Sequence, residues 1–316
     1  MDKARILIYG DLHLSSKNYG AHIDYPRESL HYFEEIANVA EREGATHVIG
    51  LGDFTFGRFH TLEYRISVEK VLDRLWRITE GRHYMLKGNH DSATYGMTEY
   101  EYYCKKGLLK PSENLSIGGI NISMVDNGKY EKMDIIPPEE GKTNVVLAHD
   151  YFKFKDTKLP NYGQAIELDE FSRWFGVDLL VCGHIHNFES FSGMVVDGYR
   201  ARKMTVIYLG CMARPAYREG FMQDIGKLLM LDVDGEKVEV GIIDVPLWAL
   251  DESFNIEAKA QEDEQSKSLV DISDIVKRLD EHERNIGNPE DLIMSLEDID
   301  IRYRKKAVEL LQEALK

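Results

Sequence analysis

Cysteine is scarce. Only Cys104, Cys182 and Cys211 occur in 316 residues, with no C-x-x-C spacing, so any pairing leaves one over and no disulfide framework is expected. Long apolar runs are missing too: those around residues 145–148 and 178–182 are strand-sized, far short of the roughly 20 apolar residues a membrane helix needs. The start of the chain, Met1 to Arg5 followed by Ile6, Leu7, Ile8 and Tyr9, lacks the apolar core and cleavage site of a secretory signal. These absences lead to the expectation of a cytoplasmic protein in a reducing compartment, with no membrane partner. Positive charge is the other shortage, with 39 Lys and Arg against 55 Asp and Glu and a net charge of −16. Bulk attraction to nucleic acid is therefore not expected. The deficit is uneven, because residues 251–316 hold 18 acidic and 10 basic side chains, half of the net charge. Cations bound within residues 1–250 would leave room for a locally positive cleft.

What is present is the composition of a folded chain, 43% hydrophobic and 30% charged, outside the range of disorder. Residues 5–9, 46–51 and 83–86 read as strands and residues 28–42 and 63–79 as amphipathic helices, a βαβαβ opening. Further strands are expected at 120–125, 144–148, 179–182, 193–196, 205–209, 228–233 and 237–243, with a helix near 167–175. The later strands suggest a second sheet packed on the first. A polar stretch at 257–267 reads as a linker. Beyond it, Leu269, Ile272, Ile275, Val276 and Leu279 recur at helical spacing, Asn288-Pro289 suits a helix start, and Ala307, Val308, Leu310, Leu311 and Leu315 mark a last helix. Short helices of this kind either dock on the parent domain or bind a partner's helix.

The chemistry-bearing residues stand where strands end. Gly10-Asp11-Leu12-His13 follows the first strand, Gly52-Asp53 the second and Gly88-Asn89-His90-Asp91 the third, while 145–148 runs into His149 and 179–182 into Gly183-His184-Ile185-His186. The carboxyl edge of an open α/β sheet is where ligands bind. Asp11, His13, Asp53, Asn89, His149, His184 and His186 offer only oxygen and imidazole nitrogen, a donor set for Mn, Fe, Ni or Zn. Seven ligands exceed one tetrahedral ion and suit a pair, with Asp53 the first candidate to bridge them. Glycines before Asp11, Asp53, Asn89 and His184 allow tight turns onto an ion. Each motif alone has a plain structural explanation, since Gly-Asp is a common turn and Asp-x-His is commonly a turn residue beside a core histidine. All five in order at strand ends argue for a site.

These motifs resemble those of the calcineurin-like metallophosphoesterases, over about residues 4–215. The resemblance implies an α/β fold, a two-sheet sandwich flanked by helices with a C-terminal helical extension. It implies two divalent ions, manganese the first expected. Asp11, His13 and His186 would hold one ion and Asn89, His149 and His184 the other, with Asp53 shared. His90 matches the position that contacts phosphate and assists the leaving oxygen, and Asp91 is the expected carboxylate orienting it. Phosphate-ester hydrolysis is the implied reaction, with His90 donating a hydrogen bond or proton opposite the nucleophile.

Within that family, the residues from Gly10 to Leu14, the Gly88 to Asp91 motif and the segment from Tyr208 to Arg214 resemble the SbcD-type DNA double-strand break repair nuclease subunit. That resemblance implies a nuclease domain with capping strands over 1–250, a linker over 251–267 and a helical tail over 268–316. The tail would bind the coiled-coil base of an SbcC-like ATPase, and the early helices would build a homodimer. The expected function is a metal-dependent phosphodiesterase acting on DNA, an exo/endonuclease subunit of an SbcCD-like repair and recombination complex. A metallophosphatase or small-molecule phosphodiesterase is the alternative; a non-catalytic scaffold ranks last because all seven ligand positions are filled. Two positions depart from the SbcD-like pattern: Phe56 stands where a polar residue is usual, and Cys211 follows Gly210 where Ser is usual. Arg58, Arg65, Arg214 and Arg218, with Arg74, Arg77, Arg200, Arg202 and Lys203, are candidates for DNA backbone contacts. Tyr95, Tyr100, Tyr102 and Tyr103 either stack on unpaired bases or pack a helix.

Overall fold

Side chains alternate along the first strand, with Ile6 and Ile8 entering one core and Leu7 and Tyr9 another, all four wholly buried. Such a strand needs cover on both faces. The computed structural model supplies it with two six-stranded sheets packed face to face, the first carrying helices on its outer face, so the α/β sandwich expected from the sequence is present. The structure describes residues 3–19, 21–56, 60–93, 96–130, 136–137, 139, 141–159, 165–168, 174–197, 200–214, 224–257 and 308.

In chain order the elements are β1 (Lys3–Tyr9), α1 (Tyr25–Arg42), β2 (His47–Gly50), α2 (Leu62–Thr79), β3 (His83–Met85), α3 (Glu99–Lys105), β4 (Lys110–Pro111), β5 (Leu115–Ile117), β6 (Ile120–Val125), β7 (Thr143–Ala148), β8 (Phe152–Lys153), β9 (Ile166–Glu167), β10 (Leu179–Cys182), β11 (Glu189–Asp197), β12 (Arg200–Tyr208), β13 (Ile225–Asp234), β14 (Lys237–Pro246) and α4 (Leu250–Ser253). The first sheet runs β14-β13-β1-β2-β3-β4 and the second β11-β12-β10-β7-β6-β5. Strands β1 to β4 are mutually parallel, as are β6, β7, β10 and β12.

Three apolar clusters hold these layers. Ile8, Ile49 and Leu229 from the first sheet meet Ile122, Leu147 and Val181 from the second. On the first sheet's outer face, Leu7, Val48 and Met85 pack under Phe33 and Ile36 of α1 and Val68 and Leu72 of α2. The second sheet's outer face buries Val146, Leu180 and Val206 against Phe152 and Trp174. α1 begins three residues before the expected start, because the Asp24 side chain accepts the Arg27 amide at 3.2 Å and Pro26 occupies the first turn.

Several expectations are corrected. β13 and β14 do not extend a second sheet: β13 lies antiparallel to β1 and completes the first. Residues 251–255, expected to be linker, pack on the domain. Ser253 and Phe254 are buried, and Ile23 and Asn255 form backbone hydrogen bonds that tie the segment to the approach of α1. The compact unit accordingly spans Met1–Asn255, and Ile256–Lys316 forms a separate one. Glu167 is in a short strand; residues 169–173 of the helix expected there, and the tail helices apart from Val308, lie outside the described residues. α3 is present and buries its own Tyr100 and Tyr103, so the tyrosine run packs a helix; Tyr95 is outside the described residues.

Candidate metal centre

Five strand ends feed one cleft, and they come from both sheets. β1 leads into Asp11 and His13, β2 into Asp53 and β3 into Asn89, His90 and Asp91; β7 leads into His149 and β10 into His184 and His186. The loops are laced together by backbone hydrogen bonds, His13 N–H to Asp53 O at 2.9 Å and Cys211 N–H to His186 O at 3.0 Å. Side chains are delivered by strained backbone. His13, Asp53 and His184 have φ of 49°, 45° and 79°, left-handed values that cost non-glycine residues on the order of 1–3 kcal/mol each. At Gly183 a Cβ would come within 2.6 Å of Asp11 Oδ1 and 2.7 Å of His149 Nδ1, so only glycine leaves room for both groups.

The distances place all seven expected ligands together. His13 Nε2 and His186 Nε2 face each other at 3.1 Å, and lie 3.9 and 3.7 Å from Asp11 Oδ2. Asn89 Oδ1 stands 3.1 Å from both His149 Nε2 and His184 Nδ1, while His149 Nε2 is 3.3 Å from Asp53 Oδ2. Asp53 Oδ2 is also 3.8 Å from His13 Nε2, which sets its carboxylate between the two groups. His149 Nδ1 is 2.7 Å from the Leu51 carbonyl. That oxygen accepts the Nδ1 proton and leaves Nε2 as the ligating atom.

Electrostatics test whether cations fit. Asp11, His13, Asp53 and His149 are buried, and among the described residues no Lys or Arg pairs with either carboxylate. Burial, followed by the neighbouring Asp53 charge, pushes Asp11 well above the carboxylate range, although His149 acts against this. Burial also raises Asp53, but the hydrogen bond and charge of His149 and the charge of His13 outweigh it and hold the group below that range. His149 is pushed up to about 10, because Asp11 and Asp53 overcome its own burial. Burial and the nearby His186 lower His13; burial and His149 lower His184. Two buried carboxylates that no Lys or Arg pairs with among the described residues, ringed by facing imidazole nitrogens, are a donor set that divalent ions fit, a bound ion taking the place of the His149 proton. Asp11, His13 and His186 form one group whose ligand atoms lie within 4.8 Å of one another; Asp11, Asp53 and His149 form a second, and His13, Asp53 and His90 a third.

The remaining expected residues divide. His90 stands exposed at the mouth of the cleft, with its amide donating to Asp53 Oδ1 at 2.8 Å. Asp91 does not turn to the His90 ring. Its buried carboxylate accepts the amides of Phe54, Thr55 and Gly88 at 3.2, 3.2 and 3.0 Å, and burial followed by the Asp53 charge pushes it up to about 6. Arg214 is no surface contact: it is buried, with Nη2 on Glu28 Oε1 at 3.4 Å, the Trp248 carbonyl at 2.7 Å and Ser253 Oγ at 2.5 Å. Arg65 clasps Glu99 at 3.1 and 2.5 Å and lies over the Tyr102 ring. Arg58 and Arg218 lie outside the described residues. Sequence reasoning missed the aromatic wall of Tyr19 and Phe56 beside His13 and His90, for which ring spacing along the chain carries no signal.

A family model described as calcineurin-like phosphoesterase matches residues 4–188. No curated protein matches the chain. Among solved structures, a dimetal phosphatase from Danio rerio is 13% identical, with TM-score 0.41, over 77% of this chain and 99% of that one. A double mutant of Vps29 from Entamoeba histolytica is 15% identical, with TM-score 0.35, over 76% and 99%. Vps29 from Cryptosporidium parvum is 16% identical, with TM-score 0.32, over 78% and 100%.

Proposed function

The chain belongs to the calcineurin-like phosphoesterase family, and on that premise we propose that it is a two-metal phosphodiesterase that cleaves DNA. The observation that carries the phosphoesterase reading is the buried Asp11 and Asp53 pair, without a Lys or Arg partner among the described residues and faced by imidazoles. Bound divalent cations supply activated water and charge neutralisation for in-line displacement at phosphorus. Asp11, His13 and His186 would hold one, Asn89, His149 and His184 the other, with Asp53 between them. The Leu51 carbonyl fixes the His149 tautomer, and the His184 amide, donating to both Asp11 oxygens at 3.1 Å, holds that carboxylate in place. His90, exposed beside Asp53, presents a ring N–H to a phosphate oxygen or to the leaving oxygen. Support for DNA as substrate, for manganese, and for an SbcC-like ATPase bound through the tail comes from the motif resemblance.

A second reading, hydrolysis of a small phosphate ester, is favoured by the fate of two arginines: Arg214 is buried in an ion pair and Arg65 is engaged by Glu99. Substrate profiling separates the two. The full chain with manganese would be offered linear duplex DNA, single-stranded oligonucleotide, bis(p-nitrophenyl) phosphate and p-nitrophenyl phosphate. DNA cleavage abolished by chelation and by His90→Ala is the expected result. Fast monoester hydrolysis without DNA cleavage would overturn the DNA reading and leave the second. Co-purification with a coiled-coil ATPase, lost on truncation near Ala258, is the test of the partner.

A further inference from the structure

The His90 ring stands at the cleft with a nitrogen within 4.8 Å of an Asp53 oxygen and a His13 nitrogen, yet hydrogen-bonded to neither. Among the described residues its imidazole has no hydrogen bond or ion pair, since only the backbone amide is engaged, with Asp53, and Asp91 is committed to three other amides. A general acid needs a fixed direction, because a misplacement of about 1 Å can cost a hundredfold in rate. Hydrogen bonding is the usual orienting device, so its lack leaves packing as the means.

Three rings surround the problem. Phe56 lies 4.9 Å from His90 between centroids, tilted by 41°, and 5.5 Å from His13 at 84°, while His13 and His90 stand 5.1 Å apart at 85°. Phe56 thus touches both the His13 imidazole, an expected ligand, and the His90 ring. Its own place is fixed from behind. Tyr19 packs edge-on against it at 4.6 Å, donates its hydroxyl to the Phe56 carbonyl at 3.3 Å and contacts Ser15 Oγ at 2.9 Å; the Phe56 amide donates to Leu14 O at 2.8 Å. A half-buried, clamped aromatic ring is a stiff surface, and edge-to-face contacts between rings give orientation as well as attraction.

We propose that Phe56 is the positioning residue for His90, a ring that directs the imidazole toward the reacting phosphate in place of the carboxylate that the motif Gly88-Asn89-His90-Asp91 suggested. This rests on the phosphoesterase reading, and the test keeps the two separable.

Turnover of bis(p-nitrophenyl) phosphate with manganese would be compared for the full chain, Phe56→Ala, Phe56→Tyr, His90→Ala and the Phe56→Ala, His90→Ala pair. Phe56→Ala is expected to lower kcat by roughly tenfold or more with KM within about twofold, and Phe56→Tyr to restore most of it. In the His90→Ala background the Phe56 change is expected to add nothing. Calorimetric manganese affinity should stay unchanged in Phe56→Ala. Independently of turnover, the orientation of the His90 ring, read from ring-to-backbone NOEs of histidine-labelled protein assigned by their loss in His90→Gln, should spread from one orientation to several in Phe56→Leu. Additive losses in the double variant, a fall in metal affinity, or an unchanged His90 ring orientation would each overturn the proposal. Failure of the full chain to hydrolyse any phosphate ester would sink the phosphoesterase reading instead, with the ring-orientation measurement still deciding whether Phe56 directs His90.

Discussion

Asp91 Oδ2 accepts the Gly88 N–H at 3.0 Å, and the same carboxylate takes the amides of Phe54 and Thr55. One buried side chain thereby closes the loop after β3 onto the loop after β2, and so holds Asn89 and Asp53 at a set spacing. Replacing it by Asn turns an NH₂ toward amide donors that need acceptors. Asp91→Asn should destabilise the fold by about 2 kcal/mol in urea unfolding and weaken manganese binding in calorimetry. If Asp91 instead oriented His90, stability and metal affinity would stay put and kcat alone would fall.

Metal binding should release protons. Asp11 and Asp53 hold His149 protonated, pushed up to about 10, and a ligating imidazole nitrogen must be free of its proton. Raising pH therefore removes a competitor of the cation, so manganese affinity should climb between pH 6 and 8 with net proton release, from His149 and from the raised Asp11 carboxyl. Calorimetry in buffers of different ionisation enthalpy measures this. Heats independent of buffer would refute it.

His83 couples stability to acid. It is buried with Nε2 3.0 Å from the Tyr9 hydroxyl, and burial lowers it from 6.5 to about 3. The folded state thus stays unprotonated where the unfolded chain binds a proton, so the contribution is complete above about pH 6.5 and is lost as pH falls toward 3. The full loss is on the order of 5 kcal/mol. Denaturation midpoints of His83→Gln, which keeps a partner for Tyr9, should fall less steeply between pH 7 and 4.5 than those of the unaltered chain. Equal slopes would exclude His83 as the cause.

Arg214 is expected to matter for folding. Removing it leaves Glu28 buried without its cation and frees the segment around Trp248 and Ser253, so Arg214→Ala should cost about 3–5 kcal/mol. Thermal melting and limited proteolysis at 248–255 would report the loss. A variant that melts like the unaltered chain and loses only DNA affinity would restore the surface role.

Much of this molecule was legible along the chain. β6 and β10 match their expected limits, and the other expected strands of the two large sheets, with α1 and α2, differ by a few residues at their ends. All seven expected ligands meet, because a turn word at a strand end fixes a residue to a known edge. α3 carried a readable start in the Thr98 and Glu101 capping box, whose 3.1 and 3.2 Å bonds are local. β13 was legible as a strand, while its pairing with β1, more than two hundred residues away, was not.

The amino-acid order by itself determined the strands, the turns after them and the oxygen and nitrogen donors placed there, since these depend on period and on neighbours a few positions apart. Tertiary structure alone decided which sheet receives β13, that Asp91 serves amides, that Arg214 is buried on Glu28, and that Phe56 leans on His90. Each of those is a contact between distant segments, set by the packing of two sheets and their loops, and no local pattern encodes the partner a side chain will meet.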